Sequence, residues 1–481
     1  MKYKTYIAVL LIGFMATSCD SFLEPEPSSA LTSNNYYTTT AELESALIGA
    51  YDAIQGVGDF DKDSNHGVQY EFYITEMRSG NTATKIADPD DFSDAGQFES
   101  FNVLPINGLV ANYYDSYYEV IYRANVVLEN LGNVSDDTSV IEAEAKFIRA
   151  YAYFNLVRLF GDVPYVDHVL SPLEKEAQFT RVDTSVIYDL IVSDLLTAEE
   201  GLDNTYKTRA SKAAAQGLLA KVYLTLENPE YLKAQIMCEK IINDGSFGLV
   251  DFNDVFYEEL NQEIIFAIGF TSLNDSQTFS SQFMNSVGPS SGVNYATYDL
   301  VDDLNEFGGI RAQYSFRQDP NHLTSVRYQC AKYFPDGDDG GTTNPHIFET
   351  SANPRLAGND WIVLRYADVL LMHVEAIMAG SEETSAGAAL SSFQEVRDRA
   401  GLTDAVTEIS VDDLLLERRV ELAFENHRLF DLIRLGRAES VLSQYSTANG
   451  FSFTTSDLLL PMPQNEVNLS DGLMSQNPGY N

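Results

Sequence analysis

The sequence predicts a mostly α-helical protein, a scaffold of helix pairs carrying an irregular, loop-rich lobe that contains short strands. Three observations carry that expectation. Apolar residues recur at helical spacing through most of the 481 residues. Several of these segments come as pairs joined by short connections. Two long stretches, about 56–108 and 245–358, break the pattern and are rich in Gly, Asp, Asn, Ser and aromatics. Hydrophobic residues make up 44% of the chain, enough to bury a sizeable core and to exclude wholesale disorder.

At the N-terminus, Lys2 and Lys4 precede an apolar run from Ile7 to Met15, and small residues Ala16, Thr17 and Ser18 lead to Cys19. This is the layout of an export signal. The run is too short to span a bilayer, which takes about 20 residues. A cysteine directly after the small residues is the arrangement of a bacterial lipoprotein signal. Residues 1–18 are therefore expected to be removed, leaving Cys19 as a lipidated N-terminus whose acyl chains hold the protein at a membrane. Residues 19–40, with Pro25 and Pro27 among serines and acids, read as a tether. Residues 41–481 read as one domain. Its helical scaffold is expected at about 41–55, 110–244 and 359–445, its ligand lobe at about 56–108 and 245–358, and a tail at 446–481.

Within the scaffold, Ile141, Ala145, Ile148, Ala152, Leu156 and Leu159 form one helix face, which Gly161 and Pro164 end. Similar segments lie near 41–55, 112–131, 184–200, 209–227, 230–243, 361–379, 384–400 and 410–440. One pair runs from Ala213 to Leu226, turns at Asn228-Pro229, and continues from Tyr231 to Ile242. Pairs of this length, with small residues at their crossing points, point to tetratricopeptide-like units. Ser410 and Asp413 make a capping-box pattern at the start of the last segment. Arg418–Glu421, Glu425–Arg428 and Asp431–Arg434 are opposite charges three apart. Arg149, Arg158, Arg365 and Asp368 stand among apolar residues, where a charge needs a partner, and are expected in structural networks between helices. In the lobe, Glu263 to Phe270 reads as a strand.

Composition narrows the function. There are 71 acidic and 30 basic residues. Loss of Lys2 and Lys4 with the signal leaves 28 basic residues and a net charge of −43, which excludes nucleic acid as a partner. Cys238 and Cys330 match no metal spacing and read as small buried side chains, with no disulfide implied. The six histidines are scattered, without a metal-binding pair. Gly288-Pro289-Ser290-Ser291-Gly292 matches a nucleophile elbow only formally, since no strand precedes it and no helix follows. Carboxylates for glycoside hydrolysis are present by number, but none stands in a recognisable catalytic context. Asp59, Asp61, Asp63 and Asn65, and Asp336, Asp338 and Asp339, lack the Gly and terminal Glu of a calcium loop. Solvated acidic loops are the favoured reading there, with calcium as the alternative, and no cofactor is expected.

Four blocks resemble hallmarks of the SusD/RagB family, in the family's order and from end to end. They are Ala145-Lys146-Phe147-Ile148-Arg149-Ala150 with Tyr153 through Pro164; Arg365-Tyr366-Ala367-Asp368-Val369-Leu370-Leu371-Met372 with Glu375-Ala376; Glu417 through Arg434; and Leu460-Pro461-Met462-Pro463 through Tyr480. Cys19 and Phe22-Leu23-Glu24 also fit. Asn426 and Leu429 depart from it, standing where a Gly and an aromatic are common. The resemblance implies a surface-exposed outer-membrane lipoprotein with four tetratricopeptide-like units and a less regular lobe. It implies a non-enzymatic protein that binds an oligosaccharide and sits as a lid on a SusC-like TonB-dependent transporter. A peptide-binding lid is the alternative, and a glycosidase on a helical scaffold a remote one.

Sugars present apolar C–H faces and a ring of hydroxyls, which proteins meet with flat aromatics and planar polar groups. The single Trp361 adjoins a scaffold motif and reads as core. Tyr and Phe must therefore build any platform. Tyr70, Tyr73 and Phe92 in the first loop stretch, and Tyr295, Tyr298 and Tyr314 in the second, are the candidates. Arg78 and Asn81 are candidate hydroxyl partners because Glu76 to Asn81 resembles the family segment that leads into the ligand lobe. By contrast, Tyr113, Tyr114, Tyr117, Tyr118 and Tyr122 fall on a helix and read mostly as core. A net charge of −43 favours a neutral oligosaccharide unless cations or a local basic patch intervene.

Overall fold

The computed structural model describes residues 36–56, 67–84, 94–271, 279–280, 294–318, 326–333 and 357–480. The export signal, Cys19 and the start of the tether lie outside the described residues. So do Phe92, both aspartate clusters weighed for calcium, and Gly288 to Gly292. Among the described residues no cluster of His, Cys, Asp and Glu could hold a metal ion, and no helix is long and apolar enough to cross a membrane.

The scaffold helices are Thr40–Gln55, Gly108–Asn130, Ser139–Phe160, Thr184–Gly201, Lys212–Thr225, Tyr231–Asp244, Tyr366–Met378 and Gly387–Arg399. From Gly108 onward each packs against the next in chain order, and Thr40–Gln55 lies against Gly108–Asn130. This stacking of neighbours is the tetratricopeptide-like arrangement expected from the helix pairs. Their ends follow from sequence. Asn107 caps the second helix by accepting from the amides of Leu109 and Val110. Gly161, at φ +70°, ends the third.

Two expectations for the scaffold need correction. Trp361–Arg365 is a strand, not the start of a helix, and pairs antiparallel with Ile264–Ile268. Phe266 of that strand stacks edge-on to Phe147, with ring centroids 5.1 Å apart. The strand expected in the lobe therefore belongs to the scaffold. Periodicity could not show this, because strand and helix that are buried on all sides both read as continuous apolar runs. The segment 410–440 is also broken. The capping box at Ser410 and Asp413 forms, but the helix Val411–Glu421 is followed by a separate turn Arg428–Arg434 and a third helix Ala438–Asn449. The break contains Phe424 at φ +69° and Asn426 at φ +63°. Asn tolerates the left-handed region better than most side chains, which accounts for its standing where a Gly is common. The last helix also crosses the boundary at 445/446 expected between scaffold and tail.

The break redirects charges. Asp431 and Arg434 pair three apart, at 2.8 Å. Arg418 instead bonds Asp368 at 2.8 Å and Asp431 at 2.9 Å. Glu425 meets Arg365 and Lys332, each at 2.7 Å. Arg149 grips Asp194 with two bonds of 2.8 and 2.9 Å. Arg158 is the exception among the four singled out: its guanidinium lies 4.1 Å from the Phe154 ring centroid and 3.9 Å from that of Phe430. Trp361 is buried and stacks on Tyr333, with centroids 4.9 Å apart. Cys238 and Cys330 are buried free thiols, not a disulfide, and burial pushes the pKa of Cys330 up to about 12.

The lobe is held by a four-stranded antiparallel sheet, Thr82–Ala83, Tyr295–Ala296, Tyr328–Cys330 and Phe316–Gln318 in spatial order. Behind it runs a helix the periodicity reading passed over, Tyr298–Phe307, which buries Leu300, Val301 and Leu304. Its far end is tied to the scaffold: the Ile310 amide donates to the Ala400 carbonyl at 3.0 Å. Gly309 makes this approach possible. It sits at φ +57°, and a Cβ there would lie 2.3 Å from the same Ala400 oxygen. Gly309→Ala is therefore expected to lower stability by about 2 kcal/mol, from left-handed strain and a backbone clash together. Urea unfolding followed by circular dichroism measures it; an unchanged midpoint would refute the assignment.

Candidate functional site

The lobe sheet brings distant parts of the chain together. Thr82 pairs with Ala296 and Ala83 with Tyr295. Beside them, Thr297 donates its amide to the Asn81 carbonyl and its hydroxyl to that of Gly80, each at 2.9 Å. Thr297 also caps the helix Tyr298–Phe307 by accepting from the Leu300 amide. This double use of one threonine fixes the tyrosines on either side of it against the segment 79–84. The helix Ala438–Asn449 closes the opposite wall. Between them lies a cavity of about 700 Å³, within the range of small-ligand sites.

Its surfaces suit a sugar. Tyr298 is 62% exposed, yet its hydroxyl is held by donating to the Val326 carbonyl at 2.5 Å. The ring stands edge-on to Tyr328 at 6.2 Å. An exposed aromatic face with a fixed orientation loses little entropy on stacking. Tyr295 is buried, and the Arg327 guanidinium sits 5.1 Å from its ring centroid. Across the cavity the half-buried Tyr445 is flanked by the amides of Gln444 and Asn449. These supply flat apolar faces with planar donors and acceptors at their edges.

Of the eight candidates read from the lobe sequence, Tyr295 and Tyr298 line this cavity. Tyr314 is half-buried on the short helix Arg311–Ser315 and lies outside the cavity lining. Tyr73 is core, packed on Phe72 with centroids 4.1 Å apart, and Tyr70 packs edge-on to Tyr73. The two hydroxyl-partner candidates are corrected by their burial. Arg78 is 1% exposed and donates to the carbonyls of Ile74 and Asp457. Asn81 is fully buried, donating to Glu76 at 3.0 Å and accepting from Arg419 at 3.0 Å. Both serve the wall behind the cavity. Among the helix tyrosines, Tyr113, Tyr114 and Tyr117 are buried as expected, whereas Tyr122 is 49% exposed.

Sequence reasoning missed Arg327, Arg419, Gln444, Tyr445 and Asn449. Arg419 sits inside a charged helix motif and gives no sign of the direction in which it points. Gln444 and Tyr445 fall on a helix that reads as scaffold. The recurrence of Val441, Tyr445 and Ala448 at spacings of four and three was the available signal that one face of it is apolar.

Two family profiles match. Residues 21–224 fit one described as "Starch-binding associating with outer membrane", and residues 339–480 fit one described as "SusD family". The chain is 29% identical to "SusD-like protein P2" of Formosa agariphila, over the whole length of both. Among solved structures it resembles a "Laminarin binding SusD-like protein", with a TM-score of 0.74 and 26% identity, covering 92% of this chain and 100% of that one. It also resembles surface glycan-binding protein A from Bacteroides thetaiotaomicron in complex with laminarihexaose. There the TM-score is 0.75 at 21% identity, with the same coverage, a likeness of fold.

Proposed function

The chain belongs to the SusD/RagB family, and from this we propose that it is a surface-exposed, non-catalytic lipoprotein that binds an oligosaccharide in the tyrosine-walled cavity. Cys19 carries its lipid anchor at the outer membrane. The bound glycan is delivered to a partner SusC-like TonB-dependent transporter, over which the protein sits as a lid. The observation that carries the binding reading is the cavity itself. It sets the exposed, hydrogen-bonded ring of Tyr298 opposite Tyr445 and two side-chain amides, in a fold shared with a laminarin-binding relative.

Hand-over to a transporter favours modest affinity, because tethering beside the channel raises the effective concentration of ligand and tight retention would slow release. The expectation of a neutral ligand rested on total charge. What a ligand meets is the charge within about 10 Å of its site, and here arginines line the walls.

Calorimetric titration with neutral, anionic and peptide ligands tests the reading. A glycan should bind without being cleaved. Tyr298→Ala should weaken that binding by about ten-fold, one lost stacking contact, with no change in thermal midpoint because the ring is exposed. Binding of peptides alone would move the protein to the peptide-binding lids, and release of reducing ends would make it an enzyme.

A further inference from the structure

A second hollow of about 390 Å³ adjoins the tyrosine-walled cavity and shares Arg419 and Val441 with it. Arg428 lines this hollow. Its Nη1 donates to the Leu415 carbonyl at 3.3 Å, and its Nε is buried without a hydrogen-bond partner. The neighbouring arginines are satisfied. Arg419 is held by Asn81, Asp299 and Asp303, and Arg437 by Asp412 and Glu382. Among the described residues no carboxylate forms an ion pair with Arg428. Asp431, Asp303 and Asp299 act on it only at a distance, while Arg419 repels it. Burial and that repulsion together draw its pKa down to about 10. Arg327, in the larger cavity, likewise contacts a ring and has no carboxylate partner among the described residues. A guanidinium kept partly dry beside a like charge costs stability, and such unrelieved charge concentrates at binding sites.

We propose that Arg428, with Arg327, seats an anionic group of the bound glycan, so that the ligand class is an acidic or sulfated oligosaccharide. This rests on the glycan-binding reading above. A planar guanidinium with free N–H groups matches a carboxylate or a sulfate oxygen pair. The tyrosines then hold the sugar rings while Arg428 and Arg327 select the charge. The strongly acidic remainder of the surface repels anionic polymers, so the two arginines make this one region the place where such a chain can bind.

Titration of the full-length protein with laminarihexaose, with its sulfate ester, and with a linear uronic acid hexamer tests the proposal and separates sulfate from carboxylate. One of the charged hexamers should bind at least ten-fold tighter than laminarihexaose. Its affinity should fall with added salt and drop about ten-fold in Arg428→Gln, with partial recovery in Arg428→Lys. Arg428→Gln should leave the thermal midpoint unchanged or raise it, since an uncompensated charge is removed; a fall in the midpoint with unaltered binding would make Arg428 structural and overturn the proposal. Equal affinity for charged and neutral hexamers would also overturn it, while the glycan-binding reading stood. Binding of none of the three would instead strike the glycan-binding reading itself.

Discussion

Arg365→Met is expected to lower stability by about 3–5 kcal/mol, the cost of breaking a buried ion network by removing one partner. Arg365 is 1% exposed and uses all its N–H groups. Nε bonds Glu425 at 2.7 Å, Nη1 bonds Glu263 at 2.7 Å and Glu421 at 2.6 Å, and Nη2 bonds the Glu421 carbonyl at 2.8 Å and Glu425 at 2.9 Å. Around it, Arg399 bonds Glu263 and Glu421, Arg311 bonds Glu417 and Glu421, and Lys332 bonds Glu425. Arg399, Arg365 and Arg311 hold the Glu421 carboxyl well below its usual range despite burial. Without Arg365, three buried carboxylates lose a shared donor at once. A lysine cannot replace a five-donor fork that reaches all of them, so Arg365→Lys should restore only part of the loss. Because Glu421 and Glu425 can then take up protons, the deficit should shrink as pH falls toward 5. Urea midpoints across pH measure both effects. A change under 1 kcal/mol would mean that the network relaxes around the gap.

Glu71→Gln should do the opposite, and only at neutral pH. Glu71 is 6% exposed and lines a small interior hollow of about 50 Å³ with Arg158, Lys221 and His427. Burial raises its pKa to about 7 from an ordinary value of 4.5, the pull of Arg158 and Lys221 being too weak to compensate. Below pH 4.5 the group is protonated in both folded and unfolded chains and has no effect. Between 4.5 and 7 the unfolded chain releases the proton while the folded one keeps it, so stability falls with rising pH by about 1.4 kcal/mol per unit. Above 7 the loss, about 3 kcal/mol, is complete. Glutamine has the same shape and no charge. The variant should match the wild type at pH 4 and exceed it by about 2–3 kcal/mol at pH 8. Its acid limb should be unchanged, because that limb belongs to groups such as Asp431. Arg418 and Arg434 hold Asp431 down to about 2, and its contribution is lost as pH falls below 4. Parallel stability curves for the two proteins would refute the assignment.

These two buried sites also mark what the sequence made legible. The scaffold was readable because helix-pair periodicity is a local signal, and Arg149, Arg365 and Asp368 could be placed in structural networks from their apolar neighbours. Their partners could not. Arg418–Glu421 and Glu425–Arg428 look like pairs on one helix, but the left-handed residues Phe424 and Asn426 send Glu425 to Arg365 and leave Arg428 alone. The site was legible only in part for a related reason. A tyrosine in a loop signals either core or surface, and Tyr73 and Tyr298 are indistinguishable by spacing although one is buried and the other 62% exposed. Burial of Arg78 and Asn81 depends on what covers them, which is a tertiary fact. Tyr445 escaped because it sits on a regular helix.

The cavity draws its walls from residues 79–84, 295–299, 327, 419 and 441–449, so nearly the whole chain must be in place before it exists. Contacts at that separation close late in folding. Its assembly is a checkpoint on maturation: a chain whose helix pairs have stacked but whose final helix has not docked gives a native-like helical spectrum and no ligand binding. Ligand, once bound, stabilises every one of those segments by the same free energy, and protects residues 79 and 449 from hydrogen exchange together although 370 residues separate them.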